Sequence, residues 1–276
     1  ERGLAATLSH LGTVHHRRGR IQRALGYFEP ALEKARAIGR ARLEASILTD
    51  MGAILLALHR PQEAVDAYVR AQRIYQRLDR TKDLASATRG IAGAHLQLGD
   101  PQRAEDAVRE AVTILYRSED LRSRALALIT LGHVRRLRAD QAGARKAFEN
   151  ALTLARQAED AHTKTVALTG LGHLEVLSGN PQRGLALHDQ ALTLATEIGD
   201  RKRQATSRVR GAQALRDLGR LEAAWQRLAP ALDQVEELRD ATPRRDYRLS
   251  YFAFRQEYYE IACDVLMRLH ERQPAA

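Results

Sequence analysis

The stretch VALTGLGHLEVLSGNP, residues 166–181, decides the fold. Its Leu171-Gly172 pair has counterparts at steps of forty residues: Leu11-Gly12, Met51-Gly52, Ile91-Ala92 and Leu131-Gly132. Working outward, a small residue recurs at Ala24, Ala64, Ala104, Ala144, Gly184 and Ala224. A second row follows at Ala31, Ala71, Ala111, Ala151, Ala191 and Ala231. Six copies stand in register with no insertion. A fixed period of this length predicts a solenoid before any local propensity is weighed, because one such unit cannot bury its apolar face alone.

Each unit has two halves. Leu168, Leu171, Leu174 and Leu177 recur at three-residue steps, and Val166 lies three helical turns before Leu177, the signature of one helix face. Gly179-Asn180-Pro181 then predicts a tight turn. Glycine closes the first helix in the left-handed region, asparagine offers an oxygen to the free N–H groups of the next, and proline at the first helical position loses no hydrogen bond. Gly99-Asp100-Pro101 repeats the device. A second helix carries Leu185, Leu187, Ala191, Leu192, Ala195 and Ile198. Asp120, Asp160, Asp200 and Asp240 stand where the next unit opens. The expected fold is therefore all-α: a right-handed α-solenoid of six antiparallel helix pairs plus a long C-terminal capping helix. The units are 1–40, 41–80, 81–120, 121–160, 161–200 and 201–240, with a separate segment over 241–276. Small side chains let the helix backbones approach where they cross.

Composition narrows the function. Aromatics are only 5% of the 276 residues, which suits closely spaced helices. No run reaches the roughly 18 apolar residues of a membrane span. Glu1 in place of methionine reads as a piece of a longer protein. The single cysteine, Cys263, excludes an internal disulfide framework and points to a reducing cytoplasm. The net charge of +10 favours acidic partners. No glycine-rich phosphate loop follows a strand, and no cofactor is expected.

Leu168-x-x-Leu171-Gly172, followed by Gly184, Ala191 and a turn proline, resembles the tetratricopeptide repeat in its long, forty-residue form. Leucine stands at that repeat's tryptophan place (Leu8, Leu48, Leu128, Leu168). Its tyrosine place holds His15, Leu55, His95, Arg135, Glu175 and Leu215. The resemblance covers residues 1–240. It implies a non-catalytic protein-interaction scaffold whose first helices line a groove. The groove positions it assigns are Ser9, His10, Thr13, His16 and Arg17; Thr49 and Asp50; Arg89, Gly90 and Gln97; Thr130, His133 and Arg136; Thr169, Gly170 and His173; and Arg210, Gln213 and Arg216. The set is polar and cationic, fit for a peptide or partner segment with acidic side chains or a terminal carboxylate.

The last forty residues break the pattern. Thr242-Pro243 interrupts, and Arg244 to about Arg272 reads as one long helix with no turn at Tyr259-Glu260. Six of the chain's thirteen aromatics lie here. Two stripes form a wide apolar band: Phe252, Tyr259, Cys263, Leu266, and Tyr251, Tyr258, Ala262, Val265, Leu269. One part is expected to cap the sixth pair. Tyr251-Phe252-Ala253-x-x-Gln256-x-Tyr258-Tyr259-Glu260 resembles the segment that joins such arrays to CHAT domains, which are caspase-like proteases of bacteria. That resemblance implies a downstream CHAT-type module in the same chain, contacted by Tyr251, Phe252, Phe254, Tyr258 and Tyr259.

The chemical candidates are few. His133 and His173 share a place in successive units, yet no acidic or cysteine ligand completes a metal set, and none is expected. Cys263 reads as a small buried hydrophobe. Arg17-Arg18, Arg135-Arg136 and Arg244-Arg245 read as solvated faces. The alternative to a peptide scaffold is the repeat region of a transcription regulator or a basic array on nucleic acid, although no aromatic row accompanies the arginines for base stacking.

Overall fold

The computed structural model describes residues 2–17, 20–240 and 245–272, with side chains described over 3–16, 20–234, 236 and 256–272. Among the described residues every element is a helix. They form pairs: α1 (Arg2–Arg17) with α2 (Ile21–Ala37), α3 (Ala41–Ala57) with α4 (Pro61–Arg77), and α5 (Thr81–Gln97) with α6 (Pro101–Leu115). There follow α7 (Leu121–Leu137) and α8 (Gln141–Gln157), α9 (Ala161–Leu177) and α10 (Pro181–Glu197), then α11 (Arg201–Asp217) and α12 (Leu221–Asp240). The last is α13 (Arg245–Arg272). This is the solenoid of six pairs and a terminal helix that the forty-residue period predicts. It divides into two compact units, Glu1–Val134 and Arg135–Ala276.

Both small-residue rows are packed away from water: Ala24, Ala64, Ala104, Ala144, Ala111, Ala151 and Ala191 are fully buried. In the first unit Phe28, Ile47, Leu48, Ile54, Tyr68 and Ile74 fill the space that these alanines leave between helices. A Cβ on Gly184 would stand 2.8 Å from the Gly172 carbonyl oxygen, so this crossing of α9 and α10 needs the smallest residue.

The turns follow the expected chemistry with corrections. Asp100, Asp140, Asp160 and Asp200 each accept from backbone N–H groups at the start of a helix, and Asp120 does so from Ser123 N at 2.9 Å. Asn180 makes no such cap. Its amide donates instead to Glu175 Oε2 at 3.2 Å, because a buried carboxylate needs that donor more than a helix end open to water does. Asp240 closes α12 instead of opening a helix. The left-handed turn residue is glycine at Gly39, Gly99, Gly179, Gly199 and Gly219, yet His59, Asp79, Ala139 and Glu159 adopt it as well. A side chain there costs about 1–2 kcal/mol. Ala139→Gly is therefore expected to raise stability by roughly 1 kcal/mol in urea unfolding, with the relief of strain exceeding the entropy that glycine adds to the unfolded chain.

The tail helix caps the array, as expected. Tyr258, Ile261, Ala262 and Val265 are buried against Val209, Ala212, Leu215 and Leu228 of the sixth pair. The Tyr258 hydroxyl donates to Thr206 Oγ1 at 3.1 Å, and the Tyr259 hydroxyl bonds Glu236. Tyr258, assigned to a downstream module on sequence grounds, is thus directed onto this chain, and Tyr259 is half-buried beside it. Tyr251, Phe252 and Phe254 lie outside the residues with described side chains. Cys263 is exposed, not buried, because the helix turns its Ala262 and Val265 side inward.

Candidate functional site

One residue near the middle of each second helix sets the geometry of the face beside it. Forty-residue steps place Phe28, Tyr68, Val108, Phe148, His188 and Leu228 in this row. Where the residue carries a ring, a glycine of a neighbouring first helix makes room. A Cβ on Gly12 would stand 2.8 Å from the Phe28 ring, on Gly170 2.5 Å from Phe148, and on Gly172 2.8 Å from His188. Tyr68 is held from both sides, since a Cβ would lie 2.8 Å away on Gly52 and 2.4 Å away on Gly90. Gly90 and Gly170, expected on the ligand face, are therefore walls of ring slots. Their role was hidden because it depends on a side chain about twenty residues away.

The slots place polar groups out of water. Burial pushes the Tyr68 hydroxyl up to about 12; Arg89 works against the shift and Asp50 adds to it. Burial also lowers the Arg89 guanidinium, and among the described residues no carboxylate pairs with it. Arg89 lines a cavity of about 280 Å³ between α5 and α7, together with Lys82, Ser86, Arg122, Ser123 and Asp83. Lys82 bonds Asp120 at 2.7 Å and Asp83 bonds Arg80 at 3.0 Å, so the acids nearest the cavity are already engaged.

The second unit holds a different cluster. His188 is fully buried, and among the described residues neither ring nitrogen has a partner. Burial, then the charges of Arg210 and Arg227, press its pKa down to about 3, so it is neutral. Arg227 lies against Gly211 and pairs with Asp189. Glu175, at the repeat's tyrosine place, is buried with Arg145 bonded to it and Arg183 at 3.4 Å. Arg145 above all, with burial opposing, holds its carboxyl below the usual range.

The groove positions take several forms. Ser9 is buried and therefore not offered to a ligand. His10 is exposed; His16, His133 and His173 are half-buried. The hydroxyls of Thr13, Thr49, Thr130 and Thr169 each lie within donating distance of the carbonyl four residues earlier, which occupies the donor of Thr130 and Thr169. Thr13 also approaches Asp50 Oδ2 at 3.3 Å, joining α1 to α3. Gln97 donates to the Leu56 carbonyl oxygen at 3.1 Å, joining α5 to α3. Arg17 lies outside the described side chains. Arg210 and Arg216 are half-buried and engaged by acids of α13: Arg210 Nη2 donates to Glu257 Oε2 at 2.7 Å and Arg216 Nη1 to Asp264 Oδ2 at 3.0 Å. Gln213 accepts from Arg210 at 3.1 Å. Burial, then the like charge of Arg210, lowers Arg136, with Glu257 offsetting part of the effect. Sequence reasoning placed Arg136, Arg210, Gln213 and Arg216 in one groove but did not foresee that their acidic partners lie in the tail. Among the described residues no three histidine, cysteine or carboxylate side chains stand together as a metal site, and no helix is long and apolar enough to cross a membrane.

Comparison with known proteins agrees with this architecture. No curated protein matches the sequence. The chain is similar in fold to a Rap protein complexed with competence and sporulation factor, with 16% identity and a TM-score of 0.69 over 94% of this chain and 75% of that one. Aspartyl phosphate phosphatase F from Bacillus subtilis gives 12% identity and a TM-score of 0.70 over 97% of this chain and 70% of that one. The Rap conjugation gene regulator of plasmid pLS20, in complex with the Phr* peptide, gives 14% and 0.66 over 96% and 74%. The tetratricopeptide repeat family matches residues 3–77 and 43–117, and the chain as a whole folds as a tetratricopeptide-like helical array.

Proposed function

We propose that the chain is a non-catalytic protein-interaction scaffold whose first-helix face binds a peptide or partner segment bearing carboxylates. The observation that carries this reading is Arg89: a desolvated guanidinium with no carboxylate partner among the described residues, lining a 280 Å³ cavity with Lys82 and Arg122. An unpaired charge held from water costs stability, and a ligand carboxylate would offset that cost through a charge-assisted bond. The peptide complex of the pLS20 regulator supports the reading by fold analogy only. Panning a random peptide library on the chain should enrich Asp and Glu, and Arg89→Gln should weaken the selected peptides roughly ten-fold, a loss of about 1.4 kcal/mol. Selected peptides with no acidic bias, or full affinity for R89Q, would refute it. Sub-micromolar binding of DNA or RNA that persists at physiological salt would favour the nucleic-acid alternative.

A narrower reading concerns the tail. The residue pattern over 251–270 supports a CHAT-type module as the neighbour that the array regulates, and Leu266 and Met267, 43% and 64% exposed on α13, offer it an apolar contact. Loss of regulation in the natural protein on Met267→Asp would support that arrangement; unaltered regulation would oppose it.

A further inference from the structure

The acids of α13 meet the arginines of α11 in a way that anchoring alone does not require. The helix is anchored by Tyr258, Ile261, Ala262 and Val265, all buried. Glu257 and Asp264 are two turns apart and share the side that meets Arg210 and Arg216. Glu257 remains 48% exposed while its partner Arg210 is 17% exposed. Both Arg210 Nη groups bond Glu257, but a carboxylate so open to water is exchangeable for one that a ligand brings.

The charges at this place do not balance. Arg210 is close enough to Arg136 to disfavour its charge, and Glu257 is the acid that moderates the effect there. Arg136 Nε is buried without a hydrogen-bond partner among the described residues. Among the described residues one carboxylate therefore serves two guanidinium groups. A ligand segment with two adjacent carboxylates would satisfy both, each through the paired N–H geometry that arginine offers.

We propose that Arg136 and Arg210 form a receptor for the carboxylates of an acidic peptide, and that Glu257 is an internal stand-in which the peptide displaces. The inference rests on the peptide-binding reading above and places it in the second unit. When the peptide binds, Glu257 is released to water while the apolar side of α13 keeps its seat. The site is then gated by a single exposed ion pair, and the tail helix senses its occupancy.

The test uses the whole chain and a fluorescent hexaglutamate peptide, read by anisotropy at low ionic strength, with hexaglutamine as the uncharged reference. Glu257→Gln should bind hexaglutamate about five-fold more tightly than the parent, the factor that roughly 1 kcal/mol of lost competition gives. Arg136→Gln, added to E257Q, should reverse the gain and weaken binding about ten-fold. Arg156→Gln removes the same charge from an exposed place on α8 and should change affinity less than two-fold by screening arguments. Equal affinity of E257Q and parent overturns the proposal, as does hexaglutamate binding to neither. A loss in R156Q as large as that in R136Q overturns it too, by reducing the effect to net charge. None of these results affects the library selection or the Arg89 variant, so the two readings fail separately.

Discussion

Replacing His188 with phenylalanine is expected to stabilise the chain and to flatten its stability profile between pH 7.5 and 5. The folded-state pKa of His188 is about 3, while the unfolded value is the ordinary one near 6.5. Above 6.5 both states are neutral at this residue and its contribution to stability is fully present. Below 6.5 the unfolded chain takes up a proton that the folded chain refuses, so stability falls as pH drops, by up to about 1.4 kcal/mol per unit. Between pH 6.5 and 5 the parent should lose on the order of 2 kcal/mol that H188F retains. At neutral pH the variant gains as well, because two buried nitrogens without partners are removed, each costing about 1–3 kcal/mol. Phenylalanine already occupies the same place at Phe28 and Phe148. Urea midpoints at pH 7.5 and pH 5 check this. The comparison stops at pH 5 because Glu175, with its depressed pKa, adds its own acid-dependent loss below the ordinary carboxylate range. Parallel losses in parent and variant would show that His188 is not the group titrating.

The sequence made some of this legible and concealed the rest for physical reasons. Helix number, length and turn positions follow from a period that repeats six times, since each copy tests the same inference. The alanine rows were readable because crowding leaves one answer at every copy. The ring slots were not, because a glycine in a solvated face and a glycine under a ring look alike until the partner helix is placed. The threonines read as groove positions, but their hydroxyls turn back toward carbonyls of their own helix. The tail was the least legible part. A wide aromatic band does not say which edge faces inward, and only the fold shows that Tyr258 is seated on the sixth pair while Cys263 and Met267 are exposed. Glu175 read as a conventional repeat position, and its burial with Arg145 and Asn180 depends on residues thirty back and five ahead.

Gly90→Val is expected to be strongly destabilising, by about 3 kcal/mol. A Cβ at this position would stand 2.4 Å from Tyr68 Cε1 and 2.5 Å from Cζ, well inside any contact that side chains accept. The ring has little room to move aside, because Gly52 also lies against it, where a Cβ would stand 2.8 Å from Cζ. The strain must therefore pass into the spacing of α3, α4 and α5. Thermal unfolding of G90V should show a markedly lower midpoint. Adding Tyr68→Leu should recover part of the loss, since leucine fills the same row at Leu228 and vacates the space the valine needs. A G90V chain as stable as the parent, or a double variant whose losses simply add, would mean that the ring is not confined as described.

The ring slots also bear on how such a gene could change. Recombination between repeats removes whole units and leaves the forty-residue period intact. Excising 41–80 would bring Phe28 to the place opposite Gly90, ring beside glycine. Excising 161–200 would bring Phe148 opposite Arg210, where Gly170 now yields to it. Equal spacing therefore does not make the units exchangeable, and the order in which they are inherited is itself constrained by which neighbour each ring requires.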